Sequence, residues 1–313
     1  MKKFILQIGI LVLVVLTIAI GADYMISSGL RKTDIRKYAV WNDIYNGANL
    51  NNDLVILGAS CAWCSYNTYV LDSMLSMNTY NLGLDAHTWF YYKLRYNTYI
   101  RYCNKRPQIV IINIDHGTFG TPDNMFEREQ FFPYFRDDSL ICAVKDLKKF
   151  TVAEQYVPCW RYFGYQDEIN IGVKSFFGED NFDESGTYKG YLGRNESFAL
   201  ESLATDTVFD LICDSSTVAS FRDFVRNLTI QGVKVILVKY PMYHPLQTRI
   251  ANLTEMDSLY HKLSIQLNVP LLDYWNDDFT YDTTYYYNPS HMNQFGAELF
   301  SLQLADSLKS IIK

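Results

Sequence analysis

Proline and glycine are sparse, with 8 and 16 among 313 residues. That composition excludes a collagen-like, low-complexity or disordered chain. Clustered positive charge is missing too: net charge is −6, and no Lys/Arg cluster exceeds four residues. A nucleic-acid binder needs a basic face to neutralise phosphates, so that class is set aside. The six cysteines (61, 64, 103, 142, 159 and 213) form no regular disulfide framework. Only Cys61 and Cys64 are close, as a CxxC. With no second CxxC and no nearby His, the pair lacks the further ligands a metal site needs. No metal and no other cofactor is expected. Thiol redox chemistry would require both sulfurs within disulfide reach and one depressed thiol pKa.

A single long apolar run is present. Phe4 to Ala22, FILQIGILVLVVLTIAIGA, is 19 residues and carries no charge. As a helix it is about 28 Å long, close to the ~30 Å hydrocarbon core of a bilayer. Ala19-Ile20-Gly21 would suit signal cleavage, but the run is longer than the usual signal core, so an uncleaved anchor over residues 1–22 is favoured. Lys2 and Lys3 on one side oppose Arg31, Lys32, Arg36 and Lys37 on the other, and charge leaves the orientation open. Residues 23–51 read as a juxtamembrane linker.

From residue 52 the pattern alternates between strands and helices. Leu54–Leu57 is a short apolar strand ending in Gly58-Ala59-Ser60. A helix follows over Tyr69 to Met77, then a strand over Tyr80 to Leu82 ending in Gly83. Thr88 to Cys103 has helical period, and Ile109–Ile112 is a strand apolar on both faces, as in a covered parallel sheet. Asp214 or Ser215 caps a helix that stops at Gly232. Strands at Val233–Val238 and Leu271–Leu272 flank a further helix, and a last helix spans about 293–311. This alternation predicts an α/β fold with a doubly wound parallel sheet over residues 52–313. Residues 116–230 interrupt it as an aromatic, mainly helical insertion or cap.

Ligands of an open parallel sheet bind beyond the carboxyl ends of its strands. Ser60 falls there after strand one, at a helix start whose N–H groups can hold an oxyanion. Gly83 falls there after strand two, Asn113, Asp115 and His116 after strand three, and His244 beyond strand four. Asn288-Pro289-Ser290-His291 lies past strand five, just before the final helix. His87 and His261 read as ordinary hydrogen-bonded or surface residues.

These blocks resemble, in family order, the SGNH (GDSL-like) hydrolase superfamily. LVILGAS at 54–60 resembles its first block with the nucleophilic serine. Asn81-Leu82-Gly83 resembles the second, whose glycine N–H helps form the oxyanion hole. VKVILVKYPMYH at 233–244 resembles the fourth strand and its exit loop. NPSHMNQFGA at 288–297 resembles the final block. With the apolar N-terminus, the chain is most similar to the membrane-anchored branch typified by teichoic-acid D-alanylation and alginate O-acetylation accessory proteins. The resemblance implies a flavodoxin-like sheet, with Ser60 as nucleophile, His291 as base, and the N–H groups of Ser60 and Gly83 as oxyanion donors. It also implies esterase or O-acyltransferase action on an acylated envelope glycan or polymer, beside a membrane O-acyltransferase, with the domain on the extracytoplasmic side. Two positions depart from the family. Asn288 stands where the family has Asp, with Asp282 one carboxylate that could substitute, and no block-three asparagine is assignable. A catalytically degenerate polymer-binding or scaffold protein is the alternative these departures raise.

Overall fold

A computed structural model describes residues 1–47, 50–85, 88–121, 127–145, 147, 150–179, 187–199 and 207–312. The chain divides into two compact units, Met1–Asn42 with Glu127–Glu184, and Asp43–Phe126 with Ser185–Lys313.

In the first unit an unbroken apolar sequence without proline forms one helix, Lys2–Leu30. It is long and apolar enough to cross a membrane, and its most apolar window buries nothing against protein. Burial begins only at Ile26, Ser27, Gly29 and Leu30, where the helix meets a second helix, Gln166–Phe177. Glycines permit that close approach. A Cβ on Gly29 would lie 1.7 Å from the Gly172 carbonyl oxygen, and one on Gly172 would lie 2.6 Å from the Ile26 carbonyl oxygen. Ion pairs fasten the same unit: Arg161 to Asp23 at 2.5 Å, and Lys37 to both Glu129 and Glu168 at 2.6 and 2.7 Å.

The second unit carries a five-stranded parallel sheet. Its strands are β1 (Leu54–Leu57), β2 (Thr79–Asn81), β3 (Ile109–Asn113), β4 (Lys234–Lys239) and β5 (Leu271–Asp273). Their spatial order is β2-β1-β3-β4-β5. This is the flavodoxin-like order expected from the sequence, with its topological switch beside β1. Leu54 pairs with Thr79 on one side and Ile109 on the other, which fixes the register at the centre. Every residue of β1 and β3 is buried, as their two-faced apolar sequences require.

The principal helices of this unit are α1 (Ser60–Ser65), α2 (Thr68–Leu75), α3 (Trp89–Tyr102), α4 (Ser215–Ile230), α5 (Leu253–Leu267) and α6 (Gln294–Ile312). Side-chain caps set two of the starts. Asn67 accepts from the N–H groups of Tyr69 and Val70, and Asp214 accepts from Thr217 N–H. Gly232 follows α4 at φ +79°, a conformation glycine adopts without strain. Two antiparallel hairpins were not anticipated. One pairs Thr187–Tyr188 with Tyr191–Leu192, and the other pairs Tyr286–Asn288 with His291–Met292. The second brings Asn288 opposite His291.

Candidate active site

The β1 strand ends at a turn that only a small residue could make. A Cβ on Gly58 would lie 2.3 Å from the Ala62 Cβ and 3.0 Å from the Asn113 Cβ. The turn is held from beneath by the wholly buried Arg95, whose guanidinium donates to the Gly58 carbonyl at 2.9 Å. Two residues later Ser60 opens α1. Ala59 is the N-cap residue and supplies no side-chain cap, so no side chain of that residue covers the first turn.

His291 reaches Ser60 from the second hairpin. Its Nε2 lies 2.7 Å from the Ser60 Oγ, and its Nδ1 lies 2.9 Å from the Asn288 Oδ1. The Ser290 backbone N–H also points at the Asn288 Oδ1, at 2.9 Å. An N–H group only donates, so this contact identifies that amide atom as the oxygen. The His291 Nδ1 therefore carries a proton and donates it to Asn288. Its Nε2 is left as an acceptor, and the Ser60 hydroxyl donates to it. Serine, imidazole and amide thus form a polarised chain, with the basic nitrogen facing the hydroxyl.

The surroundings keep the imidazole neutral. Burial pushes the His291 pKa down to about 4, and the Arg194 guanidinium acts in the same direction. Tyr287 stacks on the imidazole, with ring centroids 5.4 Å apart and planes at 15°. Arg194 lies 5.8 Å from the Tyr287 ring centroid. Tyr240 fixes the hairpin from the β4 side, its hydroxyl donating to the Ser290 carbonyl at 2.7 Å. Tyr287, Arg194 and Tyr240 were not singled out from the sequence, because their roles depend on which loops meet.

The remaining expected residues occupy varied places. The Gly83 N–H donates to the Asn81 Oδ1 at 2.8 Å, so in this conformation it is engaged rather than open to an oxyanion. Gly83 also packs closely on α1, since a Cβ there would lie 2.7 Å from the Trp63 nitrogen. Asn113 accepts from the Tyr66 hydroxyl at 2.8 Å and donates to Asp115 at 3.0 Å. The Asp115 carboxylate also accepts from Tyr92, Gly117 and Thr118, in a buried network behind the site. His116 has a buried Nδ1 without a hydrogen-bond partner among the described residues. His244 stacks on Tyr281 with centroids 4.8 Å apart. Asp282 is exposed and accepts from Thr284 N–H, so it does not orient His291. His261 is exposed, with its Nε2 3.6–3.7 Å from Asp257 and Asp273, and His87 lies outside the described residues.

The surroundings of Cys61 oppose redox chemistry. Cys61 and Cys64 are buried, and burial pushes the Cys61 thiol well above its ordinary pKa. The Cys61 thiol instead donates to the Tyr240 hydroxyl at 3.1 Å.

No protein-family model matches this sequence, and no curated protein matches it. Among solved structures, a protein provisionally assigned as an acylhydrolase from Bacteroides fragilis is similar at 13% identity and TM-score 0.41, covering 85% of this chain and 95% of that one. A family two carbohydrate esterase from Clostridium thermocellum, in complex with cellohexaose, is similar at 12% identity and TM-score 0.37. That match covers 84% of this chain and 65% of the esterase chain.

Proposed function

We propose that the chain is a membrane-anchored serine esterase or O-acyltransferase acting on acyl esters of a cell-envelope glycan or polymer. The observation that carries this reading is the hydrogen-bonded sequence Ser60–His291–Asn288, at 2.7 and 2.9 Å. In the reaction His291 Nε2 takes the hydroxyl proton as the Ser60 Oγ attacks the ester carbonyl. The tetrahedral intermediate collapses, the C–O bond to the alcohol breaks, and His291 returns the proton to the departing oxygen. The acyl group then rests on Ser60. Water as second acceptor completes hydrolysis, and a sugar hydroxyl completes transfer, with a membrane O-acyltransferase as the partner that hands over or receives the acyl group. The N–H groups opening α1 are the backbone donors this reading assigns to the oxyanion. The Gly83 N–H joins them only if Asn81 releases it.

Asn288 does not by itself disable such a site. An Asp→Asn change costs ~10⁴ in rate in a serine protease triad because it leaves the wrong imidazole tautomer. Here the Ser290 N–H turns the amide oxygen toward Nδ1 and keeps the useful tautomer. What Asn288 lacks is the full negative charge that would steady an imidazolium.

Fluorophosphonate labelling of the full chain beside Ser60→Ala tests this reading. Labelling of the wild type that disappears in the variant is expected. A folded wild type that never labels would favour the second reading, a degenerate fold that binds the polymer or an acyltransferase. Two observations support that rival: the engaged Gly83 N–H and the uncharged partner of His291.

A further inference from the structure

The first unit exposes an aromatic pair where water should be avoided. Trp160 is 55% exposed and Phe163 87%. Their rings stack with centroids 6.5 Å apart and planes at 21°. Tyr156 and Val157, in the preceding turn, are exposed as well. Stacking two rings on each other while leaving their outer faces bare is costly in water, but it suits a headgroup layer, which is apolar on one side and wet on the other.

The position of this segment along the N-terminal helix identifies what covers it. The Cys159 thiol donates to the Ala19 carbonyl at 3.3 Å, and the Cys159 N–H donates to Asp23 at 2.8 Å. The turn is therefore fastened where the uncharged run ends at Ala22. A bilayer crossed by that run has its headgroups at this level. A cavity of about 230 Å³ opens at the same place, lined by Ile20, Asp23 and Tyr24 of the helix and by Arg31, Arg136 and Arg161. Arg161 is paired with Asp23 and Arg31 donates to the Pro133 carbonyl, and the positive excess that remains in the lining suits a phosphate-rich layer.

We propose that the Tyr156–Phe163 segment is seated in the phospholipid headgroup layer of the bilayer that the N-terminal helix crosses, with Trp160 and Phe163 at the acyl boundary and the arginine-lined cavity facing lipid phosphate. This inference rests on the membrane-anchor part of the proposed function and is independent of the chemistry at Ser60.

The test is tryptophan quenching in the full chain, reconstituted in phosphatidylglycerol–phosphatidylcholine vesicles brominated high or low on the acyl chain. The Trp160 contribution is the difference between the wild type and Trp160→Phe. That difference is expected to be quenched at least twofold more by shallow than by deep bromine. Retention of both proteins after carbonate extraction confirms insertion of the helix. Retained protein whose Trp160 signal ignores bromine would overturn the seating while leaving the anchor intact. Release by carbonate would overturn both. A Trp160 signal shielded from bromine but exposed on dilution of protein in lipid would assign the surface to a second copy of the chain, and would equally overturn the seating.

Discussion

At the residue scale, a backbone group gives Asn288 its orientation. The Ser290 N–H fixes which amide atom His291 meets, and that choice sets the tautomer. Because burial and nearby positive charge hold the His291 pKa down to about 4, the imidazole remains a base well below the ordinary histidine range. The acid limb of a kcat/KM profile is therefore expected below pH 6, whereas a limb near 6.5 would mean that His291 is not so buried. The same depression makes the unfolded chain bind more protons between pH 6.5 and 4. Stability from this group is complete above the unfolded value and falls as pH drops through that window. Asn288→Asp places a charge behind the imidazole. It is expected to move the acid limb to higher pH and raise kcat roughly tenfold by steadying the imidazolium; an unchanged profile would show that the 288 side chain does not act on His291. Ser60 and His291 were legible because each stands at a recognisable place, one after the first strand and one before the last helix. The engagement of Gly83 by Asn81 was not, since it arises only when β2 closes against α1. Asp282 was a reasonable substitute on sequence proximity, but its carboxylate caps the local 3-10 turn instead.

At the element scale, the β1–α1 turn and the second hairpin must meet within hydrogen-bond distance, and different devices secure each. Arg95 holds the turn through the Gly58 carbonyl, although its Nε and Nη1 have no hydrogen-bond partner among the described residues. Burying a cation so incompletely paired costs stability, so positioning of the turn is the gain. Arg95→Met should leave Tm nearly unchanged, because a relieved desolvation offsets a lost hydrogen bond. It should lower kcat by about tenfold as Ser60 loses its placement. A collapse in Tm with normal specific activity would contradict that division of roles. The hairpin is secured from the α6 side. Asn293 accepts from Gly296 N–H at 2.9 Å and donates to the Thr284 carbonyl at 2.8 Å. A Cβ on Gly296 would lie 2.2 Å from the Tyr285 carbonyl oxygen. Gly296→Ala is thus expected to cost about 1–3 kcal/mol in chemical denaturation, and a neutral result would show that the contact relaxes freely. Three sheet strands, β1, β3 and β4, could be read from their apolar runs, and the short β2 and β5 from their places in the strand–helix alternation. The hairpins could not, because their two- and three-residue strands stand outside the strand–helix alternation that gave the equally short β2 and β5 their places.

At the scale of the whole molecule, two features set what each unit can do. In one, a long apolar helix has no fully buried residue before Ile26, so its first 22 residues can be removed without exposing that unit's core. A chain lacking residues 1–22 should no longer resist carbonate extraction, and continued resistance would place the anchorage elsewhere. In the other, the sheet order puts Ser60 beside the topological switch, where an open parallel sheet offers its cleft. On the proposed mechanism Ser60 carries an acyl group during turnover. Intact mass spectrometry of the full chain, acid-quenched during reaction with a short-chain aryl ester and followed by peptide mapping, tests this most directly. One acyl group on the peptide bearing Ser60, absent from Ser60→Ala together with turnover, is the expected outcome. Ester turnover that persists in Ser60→Ala, with no adduct on the wild type, would contradict it.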